Sequence, residues 1–295
     1  MKKELLVIIN PISGTGKQKG IDSKIGDILD KSKFNIEIIK TEYAGHASEI
    51  AEKAISDKKD IIAVIGGDGT VNEVAKILVN SNVAMAVIPC GSGNGLARHL
   101  GISMNPLKAL EQINKFEARE IDCIDINGEK CFNVAGVGFD ALVSYQFANM
   151  NSRGFFSYLK SVLNSYFSYK DQDYTIETET GIVKEKAFLF SIANSCQYGN
   201  NAYINPQAKI NDGKCEIVSL RKPSLLALPI VGIRFLNKTL HKSSYCNIYS
   251  GSNFKIHQGD EISHIDGEPL ELSKDLEVKV LPKSLKVYID SKIKI

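Results

Sequence analysis

The sequence predicts an α/β protein of two domains, a parallel sheet wound with helices followed by a mostly antiparallel β region. Three observations predict it. The 295 residues suffice for two modest domains. Short β-branched runs alternate with helically spaced apolar residues through the first part of the chain. Beyond Ile121 the texture changes to short alternating runs separated by turn signals. The boundary falls near residue 125, giving expected domains of 1–125 and 126–295.

In chain order, residues 5–9, 36–39, 61–65 and 83–88 read as buried strands, apolar on both faces. Between them, 17–30, 46–56 and 70–78 carry apolar residues at helical spacing, with Ile21, Ile25, Ile28 and Leu29 in the first. Residues 94–100 and 106–114 continue the helical content. Strands alternating with helices argue for a parallel sheet covered on both faces. In the second region, 132–134, 174–177, 188–192, 215–220, 246–249, 261–265 and 276–281 read as strands. Asn127-Gly128, Asn211-Asp212-Gly213 and Asp266-Gly267 supply turns, and helical inserts fall near 155–169 and 224–240.

Composition narrows the function classes. A net charge of +2 without a basic tract offers no footprint for nucleic acid. The six cysteines contain no C-x-x-C pair, which suits reduced thiols of a cytoplasmic protein better than a disulfide framework. The apolar stretch after Met1-Lys2-Lys3 stops at Asn10-Pro11, too short for a secretory signal. The longest apolar run, 225–233, contains Pro229 and falls short of the about 20 residues a spanning helix needs. A cytoplasmic location, peripheral to the membrane, is therefore expected.

Glycine-bearing turns follow the strand ends of the first domain. They are Asn10-Pro11-Ile12-Ser13-Gly14, the weaker Ala44-Gly45-His46, Gly66-Gly67-Asp68-Gly69-Thr70, and Pro89-Cys90-Gly91-Ser92-Gly93-Asn94. In open α/β sheets ligands bind beyond the carboxyl ends of the strands, where such turns gather. Glycine lets the backbone approach closely, and a helix N-terminus offers N–H groups to phosphate oxygens. An acid inside a phosphate loop makes sense if magnesium lies between Asp68 and the phosphates, or if Asp68 accepts a proton from an attacking hydroxyl. The alternative is a tight turn with Asp68 as a helix N-cap. Neither G-x-x-x-x-G-K-[ST] nor a helix-opening G-x-G-x-x-G is present.

Taken together, these residues resemble the diacylglycerol kinase catalytic family, which includes sphingosine, ceramide and bacterial lipid kinases. The likeness rests on Asn10-Pro11-x-Ser13-Gly14, on Gly66-Gly67-Asp68-Gly69-Thr70-Val71-Asn72-Glu73, and on Pro89-x-Gly91-Ser92-Gly93-Asn94-x-Leu96-Ala97-Arg98. Asp122, the segment Phe132-Asn133-Val134-Ala135-x-x-Gly138-Phe139-Asp140, and Ile265-Asp266-Gly267-Glu268 add to it. The resemblance implies an α/β nucleotide-binding domain similar to phosphofructokinase and NAD kinase, then an antiparallel β-sandwich lipid-binding domain. It also implies that the C-terminal strand joins the first domain. The implied activity is ATP- and magnesium-dependent phosphorylation of a membrane lipid hydroxyl.

Carried over by motif position, ATP would be bound by Asn10, Pro11, Ile12, Ser13, Gly14, Thr41, Gly66, Gly67, Asp68, Gly69, Thr70, Val71, Asn72, Glu73 and Ser92. The implied catalytic acids are Glu268, Asp266 and Asp68, with Glu268 preferred as base and Asp68 organising metal-bound phosphates. On its residues alone, Asp266-Gly267 reads as a hairpin turn. The segment Lys209-Ile210-Asn211-Asp212-Gly213-Lys214 is similar to one that holds a structural magnesium in bacterial members. Its ligands would be the Asp212 carboxylate and the main-chain carbonyls of Lys209 and Lys214. Gly95 stands where bacterial diacylglycerol kinases often carry Asp-Phe after the preceding residue, a version closer to sphingosine kinases. Diacylglycerol is thus not singled out as the substrate.

Phe155, Leu159, Val162, Leu163 and Tyr166 share one helical face, with Phe156 and Phe167 alongside; the stripe reads as core packing or as a wall over an acyl chain. The run 225–233, flanked by Arg221, Lys222, Arg234 and Lys238, suits an anionic membrane surface. The expected partner is a lipid substrate at that surface, and the resemblance is also compatible with a homodimer. The histidines at 46, 99, 241, 257 and 264 show no metal spacing and read as structural or surface residues. Two other readings stay open: an NAD kinase sharing Gly-Gly-Asp-Gly-Thr, and a nucleotide- or lipid-binding relative without turnover.

Overall fold

The computed structural model describes residues 2–13, 18, 20–148, 166–167, 169–259 and 261–293. The chain divides into two units, Met1–Ile121 with Lys283–Ile295, and Asp122–Pro282.

In the first unit, β1 (Lys3–Ile9), β2 (Phe34–Lys40), β3 (Ile61–Gly66) and β4 (Ala84–Pro89) lie in the order β2-β1-β3-β4. All three pairings are parallel. The end of the chain's last strand adds beside β4, with Val287 opposite Met85. Every residue of β3 and β4 is buried, as the continuous Ile, Val and Ala runs of a covered parallel sheet require. The strand at 36–39 departs from its expected burial on both faces. It belongs to β2, an edge strand paired only with β1, and Ile38 is 41% exposed there.

Five helices connect these strands or follow them: α1 (Asp22–Ile28), α2 (His46–Ser56), α3 (Asp68–Leu78), α4 (Gly95–His99) and α5 (Pro106–Gln112). Ala47, Ile50, Ala51 and Ala54 form the buried face of α2, and Val71, Val74, Ala75 and Leu78 that of α3. Each set follows the spacing of a single helical stripe. From β1 the chain passes to β2 on one side and returns to β3 on the other. The loops leaving β1 and β3 therefore diverge at a topological switch point, the place where such sheets bind ligands.

The second unit is built on β5 (Glu117–Ile126, which crosses the boundary at Ile121), β6 (Glu129–Cys131), β7 (Val134–Gly138), β8 (Gln172–Thr178), β9 (Gly181–Ala187) and β10 (Leu189–Ala193). It continues with β11 (Gln197–Gly199), β12 (Ala202–Tyr203), β13 (Cys215–Leu220), β14 (Cys246–Gly251), β15 (Asn253–His257), β16 (Ile262–Ile265), β17 (Glu268–Glu271) and β18 (Asp275–Ile289). One antiparallel sheet runs β14-β13-β10-β7-β16-β17. A second runs β18-β15-β8-β9, also antiparallel.

Between the two sheets lies one core, with Val137, Phe190 and Ile217 from the first and Tyr174, Ile256 and Val278 from the second. Tyr174 stacks on Phe190 at 4.2 Å. A further apolar cluster joins α6 (Phe139–Ala148) and α7 (Leu228–Leu236) to the first sheet through Phe139, Val143, Phe188, Val218 and Val231. The strand expected at 132–134 instead starts at Val134 and runs to Gly138. Its glycines hid it from a β-propensity reading, yet a Cβ at Gly136 would lie 2.2 Å from Asp140 Oδ2 and 2.4 Å from His264 Nε2. The insert near 155–169 falls outside the described residues except for Tyr166, Phe167 and Tyr169. Of these, Tyr166 is buried and Phe167 is 72% exposed.

Candidate functional site

The first unit brings most of its expected loop residues to one edge of the parallel sheet. Asn10, directly after β1, donates through Nδ2 to Thr70 Oγ1 at 2.9 Å, tying together the two loops that flank the switch point. Its Oδ1 accepts from Ile12 N at 3.1 Å, and the Ser13 hydroxyl donates to its carbonyl at 3.0 Å. Gln18, which the sequence reading did not single out, is buried and donates to the carbonyls of Pro11 and Ser13. Thr41 closes β2 and donates its N–H to Ile9 O at 2.9 Å. Gly14 lies outside the described residues.

Gly67 and Gly91 bring the β3 and β4 loops into backbone contact: a Cβ on Gly91 would sit 3.0 Å from Gly67 Cα and 2.9 Å from Asn94 Oδ1. Gly67 is the N-cap of α3, with extended backbone and no side chain of its own to cap the helix. The N-terminus of α3 therefore faces the Asn10 loop, the kind of helix end that suits an anion. Val71 and Asn72 are buried within α3, and Glu73 follows them, its carbonyl accepting from Ser48 Oγ at 3.3 Å.

Asp68 is not the cap of its own helix. Its Oδ2 accepts from Asn94 N at 2.9 Å and its Oδ1 from Gly95 N at 3.2 Å, bracing the loop that contains the half-buried Ser92. Asn94, at φ 53°, completes the loop through its own side chain, which accepts from Gly91 N and donates to Gly91 O. The missed signal was the Asn of Gly93-Asn94, a residue type that tolerates left-handed backbone. The Asp68 carboxylate is a hard oxygen donor of the kind magnesium takes, so such an ion fits this donor in kind.

At the end of α4, burial lowers the His99 imidazole to about 4. The folded chain then binds fewer protons here than the unfolded chain does. The stabilisation is therefore complete above an unfolded value of about 6.5 and is lost as pH falls toward 4. His99→Gln is expected to flatten this part of the stability profile by about 3 kcal/mol. Denaturant unfolding at neutral pH and near the folded value measures it; an unchanged acid slope would contradict the assignment.

In the second unit the two acids of Ile265-Asp266-Gly267-Glu268 separate sharply. Asp266, at φ 53° in the β16–β17 turn, accepts N–H groups from Asn133 at 2.8 Å, Phe132 at 3.1 Å and Val134 at 3.2 Å. The Cys131 thiol also donates to it at 3.2 Å, and burial together with the Asp266 charge pushes that thiol's pKa up. Asp266 thus holds the segment leading into β7. Glu268, by contrast, opens β17 opposite Ile265, is exposed, and its side chain has no hydrogen-bond partner among the described residues.

A buried polar cluster stands behind this hairpin. The Asp140 carboxylate accepts from Tyr198 OH at 2.8 Å and Ser191 Oγ at 3.1 Å, and lies 3.3 Å from His264 Nε2. His264 belongs to β16, two residues before Asp266, so its structural reading holds in a specific sense. It packs a polar residue under the turn that carries Glu268. The sequence showed Asp140 only as part of a longer segment, because its partners come from β10 and β16.

Residues 209–214 form a turn anchored by the buried Asp122, whose Oδ2 accepts from Gly213 N at 2.7 Å and whose N–H donates to Ile210 O at 2.7 Å. Asp212 is exposed, and its Oδ1 accepts from Lys214 N at 3.1 Å. Nearby, burial and then the Asp212 charge push Glu216 up to about 7, and its Oε2 is buried without a partner. Among the described residues no three His, Cys, Asp or Glu side chains gather as a metal site. The oxygen donors of Lys209, Asp212 and Lys214 fit a hard cation in kind.

These features define a two-domain protein with glycine-bearing loops and a helix N-terminus gathered at one α/β edge in the first unit and a β-sandwich presenting an exposed carboxylate in the second. Residues 4–126 match the model of the diacylglycerol kinase catalytic domain, and 133–289 that of the YegS C-terminal NAD kinase beta sandwich-like domain. The diacylglycerol kinase of Bacillus subtilis (strain 168) is 27% identical over 273 residues, 90% of each chain. That of Staphylococcus aureus (strain JH9) is 28% identical over 242 residues, 77% of this chain and 74% of the relative. A crystal structure of a diacylglycerol kinase from Bacillus anthracis str. Sterne shares the fold at a TM-score of 0.77 and 20% identity, covering 98% of this chain and 97% of that one. The chain belongs to the diacylglycerol kinase family of two-domain kinases.

Proposed function

We propose that this kinase transfers the γ-phosphate of ATP to a hydroxyl group of a membrane lipid. The observation that carries the reading is the N-terminus of α3 at the β1/β3 switch point, opened by Gly67 beside Asn10 and the Asp68-braced loop. The relatives described as diacylglycerol kinases support a lipid acceptor. The N–H groups of residues 68–70 and the Asn10 side chain would hold phosphate oxygens. Magnesium held by Asp68 would neutralise charge on the transferring phosphoryl group. Glu268 would accept the proton of the lipid hydroxyl as its oxygen bonds to the γ-phosphorus and ADP leaves with the electrons of the broken P–O bond. Asp266 would position the hairpin instead of reacting. A second cation at Lys209, Asp212 and Lys214 would be structural.

The test follows labelled γ-phosphate from ATP into a total lipid extract, with NAD as a competing acceptor. Lipid labelling is expected, and Asp68→Asn is expected to lower its turnover by about 10²–10³-fold. Asparagine keeps one oxygen acceptor for the α4 loop and loses the other, so the melting temperature should fall modestly and turnover is compared well below it. Label in NAD but not in lipid would overturn the acceptor, and full activity of Asp68→Asn would overturn the role of Asp68.

A further inference from the structure

From Ile217 to Gly259 the sequence contains no aspartate or glutamate, yet it carries Arg221, Lys222, Arg234, Lys238, Lys242 and Lys255. Within this stretch lies α7. One side of it is anchored, with Val231 buried against the cluster that includes Phe188, Leu220 and Leu240. Among the described residues the opposite side has no cover. Leu226 is 90% exposed, Leu225 59%, Ile230 57%, Ile233 56% and Leu236 53%. Residues 226, 230 and 233 follow the i, i+4, i+7 spacing of one helical stripe, and Ser224 accepts the N–H groups of Ala227 and Leu228 so that the stripe continues into the preceding turn.

Scattered exposed leucines are ordinary, but five large aliphatics gathered on one short element mark a contact surface. The rim identifies its chemistry. Arg221, Lys238 and Lys242 are exposed around the helix. Lys238 rests over the Tyr203 ring at 4.5 Å, and Arg221 donates to Ser244 O at 2.6 Å, so both basic side chains of this acid-free stretch have fixed anchors. A purely aliphatic face with a basic rim and no acid over the whole stretch matches a bilayer of anionic lipids, acyl chains meeting the leucines and phosphates meeting the basic groups.

We propose that α7, together with Leu225 and Leu226, is the element by which this protein lies on an anionic membrane. The inference rests on the lipid-kinase reading for its purpose, and its test is independent of turnover. The full chain is sedimented with vesicles of phosphatidylcholine alone and of phosphatidylcholine mixed with phosphatidylglycerol. Binding to the mixed vesicles is expected, weakening with salt. The triple variant Leu226→Ser, Ile230→Ser, Ile233→Ser is expected to bind at least tenfold more weakly, and Lys238→Gln and Lys242→Gln about fivefold more weakly each. Phosphorylation of a lipid dispersed in detergent should be unchanged in all of them, which also verifies their folding. Parent-like vesicle binding by the triple variant would overturn the proposal. So would a parent dimer that this variant converts to monomer with vesicle binding intact, since a second copy would then be the occupant. Vesicle binding without lipid phosphorylation would defeat the kinase reading and leave this one standing.

Discussion

Glu268→Gln is expected to lower the turnover of lipid phosphorylation by about 10²–10⁴-fold, the range for removing a positioned general base. The melting temperature and nucleotide affinity should remain near those of the parent. Both halves of the expectation come from the same geometry. Glu268 is exposed at the first residue of β17 and its carboxylate has no hydrogen-bond partner among the described residues, so glutamine strands no neighbour and alters no packing. What it removes is the capacity to take a proton. Single-turnover transfer of labelled phosphate, beside a thermal melt, measures the two halves separately. Turnover within a few-fold of the parent would remove Glu268 from the chemistry.

Asp266→Ala is expected to do the reverse in its primary effect, costing about 3–5 kcal/mol of stability. Its carboxylate accepts the N–H groups of Phe132, Asn133 and Val134, all three of them buried residues. Each lost acceptor leaves a buried donor unpaired, at about 1–3 kcal/mol before local relaxation. Alanine at φ 53° adds about 1 kcal/mol of backbone strain. Asp266→Asn keeps an acceptor oxygen and tolerates left-handed backbone, so it should recover much of the loss. Urea denaturation of the three proteins is the measurement. A drop in Asp266→Ala below about 1 kcal/mol would show that the turn does not depend on this carboxylate.

The two residues are separated only by a glycine, and the family resemblance places both in the catalytic set. Their division of labour was not legible in the sequence, because it depends on what crosses behind the hairpin. Residues 131–134 lie more than a hundred positions earlier, and only the pairing of β16 with β7 brings them to Asp266. The same holds for Asp140. Its carboxylate is recognisable as part of a buried polar cluster only once Ser191, Tyr198 and His264 surround it. Asp68 shows the effect in the first unit. An acid opening a helix suggests an N-cap, and here it caps the next loop along the sheet edge.

What the sequence by itself determined was local and periodic. The buried runs of β3 and β4, the stripes of α2 and α3, and the glycines at strand ends are dictated by steric and hydrophobic rules acting over a few residues. Those rules suffice for a parallel sheet with glycine-bearing turns at its strand ends, and the Gly66-Gly67-Asp68-Gly69-Thr70-Val71-Asn72-Glu73 segment with its companion loops suffices for the family. The tertiary structure decided which side chain braces and which is left exposed. It placed Asp68 under the α4 loop, locked Asp266 into the turn, left Glu268 in solvent, and turned one face of α7 outward beside basic side chains. A hydrogen bond to a distant strand, or the absence of cover over a helix face, is a property of packing, and packing is set by residues far apart in the chain.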